Sequence, residues 1–154
     1  MNKQKFYPKL TKMPYYNTSV SPEKSKMEII LLLEKYGVDD HQWTKIGGKE
    51  HIKFIFDTIV QGKQIKVAVQ FDIPELKAVF GRDEIVPVPR NQVYRIFYYS
   101  LKSLLETTQY GILTKEDLFF SYIITQLPDG SQGRMKDLLK EQHLFLPEQT
   151  IQNE

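Results

Sequence analysis

The chain has no cysteine among its 154 residues, which excludes disulfides and thiolate metal sites and fits a reducing compartment. Histidine is nearly as scarce: with only His41, His51 and His143, a multi-histidine metal centre is not expected. Long hydrophobic runs are missing too, the longest being Ile29–Leu33, far short of the roughly 20 apolar residues that cross a bilayer. Met1–Lys12 lacks the apolar stretch of a secretory leader, so the expectation is a soluble, cytoplasmic chain. Catalytic patterns are absent as well. Gly130-Ser131-Gln132-Gly133 lacks the lysine and preceding strand of a phosphate loop, and neither His41 nor His51 has a serine or carboxylate placed to complete a relay. The expectation is therefore no enzyme activity, no cofactor and no metal.

What is present is a globular mix, 41% hydrophobic and 26% charged with a net charge of +2, the balance of one domain with a core. The charge is unevenly placed. Residues 1–22 hold Lys3, Lys5, Lys9 and Lys12 without an acid, interleaved with Phe6, Tyr7, Tyr15 and Tyr16. That composition reads either as an arm lying along a phosphate backbone or as a solvated tail anchored by aromatics. The organisation expected is an arm over residues 1–20, a single domain over 21–147 and a polar tail over 148–154.

Ser21-Pro22-Glu23 is a helix start, with a hydroxyl cap, a proline where no N–H is needed and an acid at the positive end of the dipole; Gly37 is the stop. Three extended segments follow, broken at Gly47-Gly48 and at Gln61-Gly62-Lys63. With a Gln61-Gly62 loop, Phe56 faces Val67, Phe54 faces Val69, Ile52 faces Phe71, and Asp57 faces Lys66 on the other side. Moving the loop to Gly62-Lys63 keeps the buried face. The same arithmetic across Gly47-Gly48 pairs Trp43 with Ile52 and Lys45 with Glu50. Pro74, Gly81, Pro87 and Pro89 mark residues 72–90 as an irregular connection. A long helix is predicted from about Asn91 to Tyr110. A capped short helix through Leu118, Phe119, Tyr122 and Ile123, a Pro128-Asp129-Gly130 turn and a last helix near Arg134–Lys140 follow. The fold class predicted is α+β in the order α-β-β-β-α-α-α, a three-stranded antiparallel meander packed by helices.

Several of these residues resemble a family of small, uncharacterised proteins of bacteriophages, prophages and integrative elements. The likeness lies in Asn17-Thr18-Ser19-Val20-Ser21, Glu23-Lys24-Ser25, Glu28-Ile29 and Lys35-Tyr36-Gly37. It continues through Tyr94-Arg95, Lys102, Glu106, Gly111-Ile112, Leu127-Pro128-Asp129-Gly130 and Leu146-Pro147. It departs at Tyr94, where the pattern has tryptophan, and in the variable stretch 72–90. The resemblance implies a mobile-element context and no known activity.

Two surfaces are candidates for binding DNA or RNA by backbone contacts. One is the long helix, where Arg95, Tyr98, Tyr99 and Lys102 lie away from the apolar face; the other is the outer face of the meander, with Lys53 and Lys66. Both also read as solvated faces. The expected function is a non-catalytic accessory protein of a phage-like element that binds nucleic acid. The alternative is a module binding a host or phage protein through helix 91–110 and the 72–90 segment.

Overall fold

The computed structural model describes residues 6–38 and 40–141. Ser21 caps helix α1 (Pro22–Lys35), its hydroxyl accepting from the Lys24 amide, with Pro22 and Glu23 in the first turn. The chain leaves the helix through Gly37 at φ +78°. Strands β1 (Asp40–Ile46), β2 (Lys49–Val60) and β3 (Lys63–Asp72) then form an antiparallel meander in sequence order. The second hairpin turns on Gln61-Gly62, both at positive φ, and places Phe56 on Val67, Phe54 on Val69 and Ile52 on Phe71. Trp43 opposes Ile52 and Lys45 opposes Glu50, the pairing predicted for the first hairpin.

The inner face of the sheet, with Ile52, Phe54, Phe56, Val69 and Phe71, is buried under Ile29, Leu32 and Leu33 of α1. Leu101 and Leu105 of the long helix α2 (Arg90–Gln109) complete that cover. Phe119 closes the core edge-on, its ring centroid 5.3 Å from Phe54 and 5.7 Å from Phe71. This is the α+β architecture predicted, with helices on one face of a three-stranded sheet.

Three stretches differ from expectation. Residues 72–90 are not irregular: β4 (Lys77–Phe80) and β5 (Glu84–Pro87) form a second, two-stranded antiparallel sheet. Strands this short leave too few positions for an alternating pattern to show, and Pro87 is tolerated because it ends an edge strand.

Residues 6–20 do not form a separate arm. The Pro8 carbonyl accepts from the Val79 amide and Lys9 bridges Val79 in parallel. Leu10 is buried with Ala78, Val88 and Val93 in a second, smaller core. The Gln92 amide donates to the Pro14 carbonyl at 2.9 Å, tying the segment to α2 as well.

The third difference follows α3 (Lys115–Phe119), which begins in a capping box between Thr114 and Asp117. The predicted helix through Ile123 stops early, because Ile123 bridges Val69 at the edge of β3. The hairpin β6 (Ile124–Gln126) and β7 (Gln132–Arg134) follows, carrying the Pro128-Asp129-Gly130 turn, and then α4 (Met135–Glu141). Among the described residues no helix is long and apolar enough to cross a membrane. Lys3, Lys5 and the tail 148–154 lie outside the described residues.

Candidate partner-binding cleft

The structure separates the residues proposed as a nucleic-acid surface and changes the standing of several. Arg95 is a correction: it is only 5% exposed, its guanidinium 2.5 Å from Glu28 of α1 and lying over the rings of Tyr98 and Tyr99 at 4.7 and 5.2 Å. It joins α2 to α1 and presents no charge to a phosphate. Tyr99 is partly exposed, yet its ring is stacked on Tyr15 at 4.8 Å, so that face is already covered. Tyr98 and Lys102 are half-buried beside it. A helical wheel drawn for α2 alone shows a polar face; α1 and the docked N-terminal segment turn that face into an interface.

On the outer face of the sheet, Lys66 is 3.3 Å from Asp57, the cross-strand pair predicted. Lys53 lies in a shallow polar groove with Gln42, Thr44 and Gln70. The groove is flanked by Arg134, which bonds Asp72 at 2.8 Å. Burial alone would push the Asp72 carboxyl up, but the Arg134 guanidinium outweighs it and holds the group below its ordinary value. Lys9 and Lys12 are exposed on the docked N-terminal segment.

A more apolar cleft lies elsewhere. A cleft of about 270 Å³ opens between the β1–β2 turn, residues 73–77 and the start of α2. Its floor is aliphatic, made of Ile73, Pro74, Leu76, Pro87, Val88 and Val93, and its rim carries Lys45, Lys49, Lys77 and Arg90 with Glu50 and Glu75. Backbone bonds fix the walls: the Ile73 amide donates to the Glu50 carbonyl at 2.8 Å and the Val88 amide to the Leu76 carbonyl at 2.9 Å.

Glu50 is the keystone. It shares the inward parity of Ile52, so its side chain is only 12% exposed. There it accepts from the Tyr94 hydroxyl and the Arg90 guanidinium, with the Lys26 ammonium 3.9 Å away. Burial would raise its carboxyl, but these three partners outweigh burial and hold it below the usual carboxylate value. Burial and the Glu50 charge together push the Tyr94 phenol up, so it stays a neutral donor. Arg90 and Lys26 also lie over the Tyr94 ring at 5.2 and 5.5 Å, which leaves it a poor platform for a stacked base.

With Glu50 neutralised from within, the rim is positive. Lys45, Lys49 and Lys77 are exposed and make no ion pair among the described residues. No cluster of three or more metal-ligating side chains occurs among the described residues. An apolar floor inside a cationic rim is suited to holding an apolar group beside negative charge. Sequence reasoning carried one signal for this site, the inward parity of Glu50. It also named residues 72–90 and helix 91–110 as an interaction surface, but it did not single out Lys77, Val88 or Arg90, which only the folding of 72–90 into a sheet brings to the β1–β2 turn.

Compared with protein-family models, curated proteins and solved structures, the chain finds no match.

Proposed function

We propose that the protein is a non-catalytic interaction module, and that the cleft takes an apolar side chain of a protein partner while the rim receives acidic residues beside it. The supporting observation is the aliphatic floor ringed by Lys45, Lys49 and Lys77, three cations without an ion-pair partner among the described residues. Burying one leucine-sized anchor contributes about 2–3 kcal/mol, and each exposed ion pair at most about 1 kcal/mol, so a short motif binds in a weak, reversible range. The resemblance to phage and integrative-element proteins carries the further proposal that the partner belongs to such an element or to its host.

The test is selection of binders from a displayed library of random peptides against the whole chain. Enriched peptides are expected to combine an aliphatic residue with flanking Asp or Glu, and to lose at least about tenfold in affinity for K45E/K77E, an effect of about 1.4 kcal/mol shared by two charge reversals. Selected peptides that bind both proteins equally, or none selected at all, overturn the reading.

A second reading keeps the nucleic-acid partner. It is favoured by the position of Lys9, whose backbone bridges β4 two residues from Lys77 and so extends the positive rim along the N-terminal segment. It predicts binding of single- or double-stranded DNA or RNA that weakens steeply with added salt.

A further inference from the structure

Helix α1 buries Ser25, Ile29, Leu32 and Leu33. Its opposite side carries Glu23, Lys24, Met27, Leu31, Glu34 and Lys35, all exposed, with Met27 and Leu31 each 57% accessible. Isolated apolar residues on a surface need no explanation. These two do, because of the frame around them.

The pattern is symmetric in position and opposite in charge. Counted outward from Ile29, Met27 and Leu31 are equidistant, as are Lys24 and Glu34, and then Glu23 and Lys35. A two-fold axis at the midpoint of the helix therefore sets α1 antiparallel to a copy of itself. Met27 then meets the partner's Leu31, Lys24 the partner's Glu34, and Glu23 the partner's Lys35. Every facing pair is apolar on apolar or opposite in charge. A parallel pairing sets lysine against lysine and glutamate against glutamate, so only the antiparallel one is complementary.

We infer that the outer face of α1 is a self-association surface, and that its occupant is a second copy of this chain in antiparallel, two-fold register. Lys24 and Glu34 specify the register, since neither makes an ion pair among the described residues. Glu23, 3.5 Å from Arg90, and Lys35, whose ammonium is 5.7 Å from the Tyr36 ring, already have neighbours in their own chain and reinforce it. Four apolar side chains with four ion pairs at their margins make a small interface, in the size range of weak and reversible association.

Sedimentation equilibrium of the whole chain at low salt tests this. The native chain is expected to form dimers with a dissociation constant between about 1 µM and about 1 mM. K24E and E34K are each expected to weaken dimerisation at least about tenfold, since each opposes like charges twice across the axis. Both substitutions suit the helix dipole, so the fold is expected to persist, as circular dichroism will show. The decisive arm mixes the two variants. A K24E chain and an E34K chain have complementary faces, and their mixture is expected to dimerise at least as well as the native protein while neither variant does alone. A native chain that stays monomeric, association indifferent to K24E, or a mixture no stronger than its components overturns the inference.

Discussion

Glu50 shows how one side chain reconciles a buried position with a charge. It points inward beside Ile52, and a lone carboxylate there carries a large desolvation cost. Tyr94, Arg90 and Lys26 offset that cost. The folded carboxyl therefore titrates below the 4.5 of an unperturbed glutamate, and as pH falls the unfolded chain binds the proton first. The contribution of Glu50 is complete above about pH 4.5 and is lost as pH falls below it. Glu50→Gln is expected to lower stability by about 1–3 kcal/mol at neutral pH and to flatten the acid limb of the stability profile. Urea denaturation at neutral pH and at a series of acid pH values will measure both effects. Arg95 is the complementary case, a buried cation held by the partly exposed Glu28, and replacing Glu28 alone leaves that buried charge unpaired.

Among elements, the β2–β3 hairpin is set by its alternating apolar residues and by its turn. The turn is built at some cost. Gln61 adopts φ +50° and Gly62 φ +75°, the double left-handed conformation that suits Asn-Gly, whereas a glutamine there is disfavoured. Gln61→Asn is expected to stabilise the protein by about 0.5–1 kcal/mol, part of the roughly 1–2 kcal/mol that left-handed backbone costs an ordinary residue. Thermal unfolding followed by circular dichroism measures it, and the alternative Gly62-Lys63 loop predicts no gain. This hairpin was readable because its strands are long, ten residues or more, with an unbroken inner face. The four-residue strands of the second sheet gave no such signal, and their prolines pointed to a loop.

For the whole molecule, the determining arrangement is two cores meeting at one cleft. The larger lies under α1 and α2; the smaller is formed by Leu10, Ala78, Val88 and Val93. The N-terminal segment completes the smaller core, so it supports a wall of the candidate site. Leu10→Ala is expected to cost about 2–4 kcal/mol, as for other buried leucines, and to expose the bonds after Lys9 and Lys12 to trypsin. Limited proteolysis beside urea denaturation distinguishes this from a tail whose removal leaves stability unchanged.

The sequence by itself determined the elements that rest on local chemistry. The Ser21 cap, the stop at Gly37, the meander with its inward Ile52, Phe54 and Phe56, the Asp57–Lys66 pair and the Thr114 cap all follow from neighbours a few residues apart or from strict alternation. The tertiary structure alone decided which polar side chains remained available. Arg95 was lost to Glu28 and Tyr99 to Tyr15, while Lys45, Lys49 and Lys77 were gathered around an aliphatic floor. The physical reason is range: caps, turns and alternation act along the chain, whereas burial and ion pairing depend on segments far apart in sequence that meet only when both cores close.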